Sequence, residues 1–258
     1  MDTSSKPNGM SEAEWLLRMD LAACYRAAAL YGWTDLIFTH ISVRIPGPEH
    51  HFLINPYGLL FEEITASSLV KINLTGNKVE DSVHPVNPAG FTIHSAIHAA
   101  RDDAQCVIHT HTAAGCAVAA QKEGLLPLSQ QSLFPIVGQV AYHDYEGVAL
   151  DEDEKPRLVA DLGGSNFYIL RNHGLLTCGE SVAHAFLNMY LLESACTVQL
   201  RAQSSGAELL PLPQKAIDNT IAEYKAMAEN GGGAFDVAPL AWQAVKRKVD
   251  RQNPGYAL

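Results

Sequence analysis

Two histidines one residue apart, His109 and His111, close the short apolar run Cys106-Val107-Ile108. In a β-strand alternate side chains share a face, so both imidazoles point the same way, with Cα atoms roughly 6–7 Å apart. Imidazoles are long enough to converge on one ion from that spacing. The Ala-rich stretch from Thr112 to Gln121 reads as a helix, which sets the pair at a strand end, where sites open in layered α/β proteins. His173 has a comparable place: it follows the apolar run Phe167-Tyr168-Ile169-Leu170 and precedes Gly174. A glycine there lets the chain turn sharply while the imidazole projects. Three neutral imidazoles on one ion would leave one or more positions for water or substrate. Spacing alone does not bring His173 to the pair, and two rim histidines bonded to backbone satisfy the same pattern.

The elements that must position these residues follow from local signals. Ser11 with Glu14 three residues on is a capping-box pattern, opening a helix that runs to about Tyr31 and stops at Gly32. Strands are expected at Thr39–Ile45, His51–Asn55 and Leu69–Leu74, punctuated by Pro56-Tyr57-Gly58 and Thr75-Gly76-Asn77. Asn87-Pro88 opens a helix to about Ala100, because proline's missing N–H costs nothing in a first turn. A strand from Gln105 feeds the histidine pair, and another is expected at Gly138–Tyr142. The acidic run Asp151-Glu152-Asp153-Glu154 suits a helix N-terminus. Asn166–Leu170 reads as a strand broken by Arg171-Asn172-His173-Gly174, and Ser181 to about Gln203 as a long helix. Beyond Gly206, Pro211 and Pro213 mark a boundary; helices follow at about 214–229 and 240–251, separated by the flexible break Gly231-Gly232-Gly233. The reading is therefore a disordered lead-in over 1–10, a layered α/β domain over 11–205, and a helical C-terminal extension over 206–258 packing on it.

Composition narrows the partners. Of 258 residues 28 are acidic and 18 basic, a formal net charge of −10. Phosphate backbones call for clustered Lys and Arg, and the one dense run, Lys246-Arg247-Lys248, fits a solvated helix face; no nucleic-acid partner is expected. Five cysteines without a CxxC pair suit reduced, buried thiols. No apolar run approaches the roughly 20 residues of a membrane span, and residues 1–9 lack a signal-peptide core. A cytoplasmic protein with no membrane partner is expected.

Several motifs in fixed order then resemble the class II aldolase/adducin family: Gly-Trp-Thr-Asp-Leu-Ile at 32–37, Thr-Ala-Ser-Ser-Leu-Val-Lys-Ile-Asn-Leu at 65–74, Gly-Phe-Thr-Ile-His-Ser-Ala-Ile-His at 90–98, His-Thr-His at 109–111 and Arg-Asn-His-Gly-Leu-Leu at 171–176. The resemblance covers roughly Glu14 to Gln203. It implies a single three-layer αβα domain with a mostly antiparallel central sheet, a homo-oligomer (a tetramer in the family's aldolases) with sites near subunit interfaces, and a small-molecule substrate. It maps a divalent metal, zinc foremost and iron(II) as the alternative, onto His109, His111 and His173.

The chain also departs from that pattern. The sugar-phosphate aldolases of the family carry a Glu, acting as base and additional metal ligand, where this chain has Pro88-Ala89-Gly90. Their phosphate-binding pairs become Thr39-His40 and Tyr57-Gly58 here, so the converging donors a phosphate needs are mostly replaced. His94, one turn beyond Gly90 on the same helix, is the candidate catalytic base; His40 and Tyr57 are candidates to line the substrate pocket. His98 receives no role, and His50, His51, His84, His143 and His184 read as surface or satisfied residues. Three functions remain: a metal-dependent lyase performing aldol cleavage or decarboxylation of a small hydroxy-carbonyl compound, an iron(II) oxygenase on the same three histidines, and a non-catalytic scaffold like the adducins. Ligand softness admits zinc and iron(II) alike at three imidazoles.

Overall fold

The computed structural model describes residues 6, 7, 9–137, 139–148, 152–229 and 236–258. Most of the expected lead-in, the triple glycine, Gly138 and Asp151 lie outside them.

Helix α1, Glu12–Leu30, starts where Ser11 accepts a hydrogen bond from the Glu14 N–H at 3.1 Å. The reciprocal half of the capping box is not made. Glu14 turns inward instead, pairing with Arg18 at 3.0 Å and Lys71 at 2.8 Å; these charged hydrogen bonds hold its carboxyl below the usual range despite the opposing, larger effect of burial. Gly32, at φ +73°, ends the helix as read.

Seven strands form one sheet: β1 His40–Arg44, β2 Phe52–Ile54, β3 Val70–Ile72, β4 Cys106–Thr110, β5 Ala141–His143, β6 Phe167–Leu170 and β7 Gly174–Gly179. Their order is β3-β2-β1-β4-β7-β6-β5, and every neighbouring pair is antiparallel except β5 with β6. This is the mostly antiparallel sheet expected. Strand β7 departs from the sequence reading, which had the chain leave the sheet at Arg171. Asn172 takes φ +55°, and β7 returns antiparallel to β6 and fills the middle of the sheet beside β4.

Alternation along the strands distributes the layers. Ile41, Val43, Ile108, Ile169 and Leu175 face a larger core built with α1, α3 (Ala113–Ala119) and α6 (Val182–Ser204). Val107, Tyr168, Leu170, Leu176 and Cys178 face α2 (Pro88–Ala100) and α5 (Lys155–Leu162) through Ile93, Ile97, Leu158 and Leu162. Helix α4, Gln130–Val137, carries Pro135 and was not foreseen; α7, Gln214–Glu229, and α8, Ala238–Gln252, complete the chain. From α8, Ala238, Trp242 and Val249 enter the larger core, and the Trp242 indole donates to Asp20 of α1 at 3.0 Å. Among the described helices none is long and apolar enough to cross a membrane.

Candidate metal centre

His109, the last but one residue of β4, lies on the α2 face, and His111 follows just beyond the strand on the same side. Their Nε2 atoms lie 2.9 Å apart. The proton placement is decided by what stands behind each ring. His109 Nδ1 is 2.9 Å from the Leu175 carbonyl oxygen, which only accepts, so Nδ1 carries the hydrogen. His111 Nδ1 is 3.0 Å from Asp35 Oδ2 and donates to that carboxylate. With both rings in their neutral forms the two Nε2 lone pairs face each other, an arrangement that a shared cation relieves.

His173 completes the group from the β6–β7 turn. Its ring centroid is 4.8 Å from that of His109 and 4.9 Å from that of His111, and one ligand atom from each of the three lies within 4.8 Å of the others. Gly174 acts here through contact rather than through a turn conformation: the left-handed residue is Asn172, while a Cβ at Gly174 would meet the Thr110 carbonyl oxygen at 2.4 Å. The missing side chain lets β7 close on β4 and bring His173 to the pair. Burial, reinforced by the neighbouring imidazoles, holds His109 well below the usual imidazole range and brings His173 down to about 4. Imidazoles whose Nδ1–H groups are held by an acceptor at His109 and His111, with a carboxylate behind one of them, are the donor set a divalent ion takes, and the carboxylate–histidine pairing is the customary outer support of such ligands.

The three histidines open into a cavity of about 350 Å³ that His40 and Tyr57 also line, with Phe38, Asn87, Ile93 and Tyr145 among its walls. Among the described residues no Lys or Arg lines it. A larger cavity, about 880 Å³ between α1, α8 and the C-terminal residues, contains none of these histidines and is walled mainly by apolar side chains such as Leu16, Leu17 and Leu258.

His94 does not reach the first cavity. It is buried on α2 behind His40, with Nε2 2.8 Å from His40 Nδ1 and Nδ1 2.6 Å from Ser42 Oγ. Ser42 Oγ in turn lies 2.7 Å from His98 Nε2, and His98 Nδ1 meets the Ala104 carbonyl at 2.8 Å. Neither Asp35 nor Ser42 carries a role in the sequence reading, although Asp35 stands inside the motif at 32–37. An acidic residue inside the apolar run Trp33 to Phe38 was the one signal for Asp35; Ser42 gave none. Of the histidines read as surface or satisfied, His143 is buried and donates to Asp161 at 2.7 Å.

Comparison with known proteins fits this geometry. Residues 19–200 match the model of the family described as Class II Aldolase and Adducin N-terminal domain. A Pseudomonas aeruginosa protein provisionally named as an aldolase class 2 protein is 59% identical over 250 residues, covering 96% of this chain and 94% of that one. Rat alpha-adducin is 47% identical over 258 residues, covering 95% of this chain and 34% of the adducin. The crystal structure of an aldolase II superfamily protein from Pseudomonas syringae superposes with a TM-score of 0.89 at 50% identity, covering 99% and 100% of the two chains. Family match, sequence identity and superposition agree: this chain belongs to the class II aldolase and adducin N-terminal domain family.

Proposed function

We propose that the protein is a divalent-metal-dependent lyase that cleaves a carbon–carbon bond, by aldol cleavage or decarboxylation, in a small hydroxy-carbonyl compound. The observation that carries this reading is the convergence of His109, His111 and His173 in the lining of one cavity. Bound there, a divalent ion, zinc by preference, would polarise the substrate's carbonyl and offset the negative charge that develops as the bond breaks. The chain's own residues do the rest. Leu175 and Asp35 hold the tautomers of His109 and His111. Phe38, Ile93 and Tyr145 supply apolar wall to the substrate side of the cavity. The described lining residues include no Lys or Arg, which speaks against a phosphorylated substrate.

Phe38, Tyr145 and Val148 line the cavity mouth and are also substantially exposed, at 47%, 54% and 70%. Such apolar side chains at a site entrance support a homo-oligomer, a tetramer in this reading, with a neighbouring subunit covering the mouth. The described cysteines are all free, which supports a cytoplasmic location.

The likeness to rat alpha-adducin favours a second reading, a binding protein without catalysis. Elemental mass spectrometry of protein purified without oxygen separates the two. Near-stoichiometric zinc, lost in both His109→Ala and His173→Ala, is the expected result, together with cleavage of a hydroxy-carbonyl compound in a substrate screen. Iron in place of zinc would move the chemistry to an oxygenase. Protein that stays metal-free after reconstitution would leave the binding protein as the better reading.

A further inference from the structure

Gly90 and His40 share one space. A Cβ at Gly90 would lie 2.5 Å from His40 Cδ2 and 2.8 Å from His40 Nε2, so the imidazole of His40 stands where a side chain from the first turn of α2 would otherwise enter. His40 is paired with His109 across β1 and β4, with ring centroids 5.0 Å apart. No nitrogen of His40 joins the three-histidine group, however. It lines the cavity one step out from the ligands.

The proton on His40 can be placed from the far end of the chain of contacts behind it. The Ala104 carbonyl oxygen only accepts, so His98 carries its hydrogen on Nδ1 and offers a lone pair at Nε2. Ser42 must donate its single hydroxyl hydrogen to that lone pair, and its oxygen accepts from His94 Nδ1–H. His94 Nε2 is then a lone pair, and His40 Nδ1–H donates to it. Each link forces the next, which leaves His40 Nε2 bare. No hydrogen bond among the described residues engages that atom; it lies on the edge of the ring turned toward Gly90, and the ring itself lines the cavity. The chain sets direction and does not carry protons away, since burial brings His98 at its far end down to about 3.

We infer that His40 Nε2 is an obligate hydrogen-bond acceptor for the ligand, so that this site selects a compound presenting a neutral hydroxyl donor at that point and rejects one presenting an anionic oxygen. His40 is a specificity-determining residue, while His94, Ser42 and His98 are positioning residues. Carboxylate or phosphate oxygen against Nε2 would set two lone pairs together, with no Lys or Arg side chain among the described lining residues to offset them. The inference deepens the metal-dependent reading above and relies on it for the carbonyl end of the ligand alone.

The test uses full-length protein labelled with ¹⁵N-histidine and the probe dihydroxyacetone, with dihydroxyacetone phosphate as the anionic counterpart. Long-range ¹⁵N–¹H correlation spectra of the metal-free protein should place the proton of His40, His94 and His98 on Nδ1 in each case. A proton on His40 Nε2 overturns the inference and leaves the metal reading standing. With zinc loaded, dihydroxyacetone should shift the His40 Nε2 resonance and bind more tightly than its phosphate ester. In His40→Phe zinc content should hold while dihydroxyacetone affinity falls about tenfold, the scale of one such hydrogen bond. In Ser42→Ala the His40 tautomer should become mixed, again with zinc retained. Unchanged affinity in His40→Phe, or tighter binding of the phosphate ester, overturns the inference. Failure to retain zinc in the parent protein defeats the metal reading instead, and the tautomers remain measurable without it.

Discussion

Acidification should cost this fold stability in a way that can be traced to one histidine. His98 is enclosed by Ser42 and Arg44 of β1, Phe52 of β2 and His94 of its own helix, with its ring stacked on Phe52 at 4.5 Å. Burial, with Arg44 adding, brings it from 6.5 to about 3. The folded chain therefore keeps His98 neutral at pH 5, whereas the unfolded chain protonates it below about 6.5. Unfolding takes up a proton in this window, so stability falls as pH drops from 6.5 towards 3 and is unaffected above 6.5. Each pH unit well inside the window is worth about 1.4 kcal/mol per histidine, and between pH 7.5 and 5.0 His98 alone contributes about 2 kcal/mol of loss. That is a large share of the 5–15 kcal/mol typical of a domain. Urea denaturation of chelator-treated protein, followed by the fluorescence of buried Trp15, Trp33 and Trp242, gives the free energy at both pH values. The wild type should lose about 2 kcal/mol more than His98→Gln on moving to pH 5.0. His40 and His94, also held low by burial, add to both proteins and cancel in the comparison. Equal losses in the two proteins would refute the placement of a neutral imidazole at position 98.

Three further outcomes are expected. Asp35→Asn should weaken zinc binding about 10- to 100-fold while leaving the fold intact, because it removes the carboxylate behind His111; competition with a chromophoric chelator measures this. Gly174→Ala should cost about 1–3 kcal/mol and lower zinc retention, because its Cβ would meet a backbone oxygen at 2.4 Å that cannot swing aside; urea denaturation and metal content are the two readings. Trp242→Ala should destabilise the protein by about 3–5 kcal/mol, since the ring is 3% exposed and packs on Phe186 at 5.2 Å; thermal unfolding at fixed protein concentration checks it.

The elements that carry strong local signals were legible in the sequence. Proline at the start of α2, the apolar run into His109 and the Ala-rich α3 place those segments to within a residue or two. Strand β7 was hidden because glycines bound it at 174 and 179, and glycine punctuation after His173 mimics a loop. Its identity as a strand comes from partners on both sides, β4 and β6, which local sequence does not reveal. The same limit applies at the site. The three-histidine group rested on resemblance, because contact between His173 and the pair is made by β7 closing on β4. Helical spacing put His94 one turn from Gly90, but it does not report that the β1 side chain of His40 stands between His94 and the cavity. Asp35 and Ser42 matter only through atoms brought to them from segments more than fifty residues away.

The position of β4 in the sheet has a kinetic consequence. Strands β1 and β2 form one hairpin and β6 and β7 another, each across a short connection, whereas the register partners His40 and His109, and His109 and Leu176, are roughly seventy residues apart in the chain. Contacts of such long sequence separation form slowly, since loop closure must precede any gain from them. The strand bearing His109 thus joins two locally formed halves and is the last to find its place. His173 belongs to one of those halves, so the ligands meet only when that junction closes. An ion held by all three histidines would accordingly mark completed molecules and slow their opening, whereas a partly folded chain offers only the His109 and His111 pair.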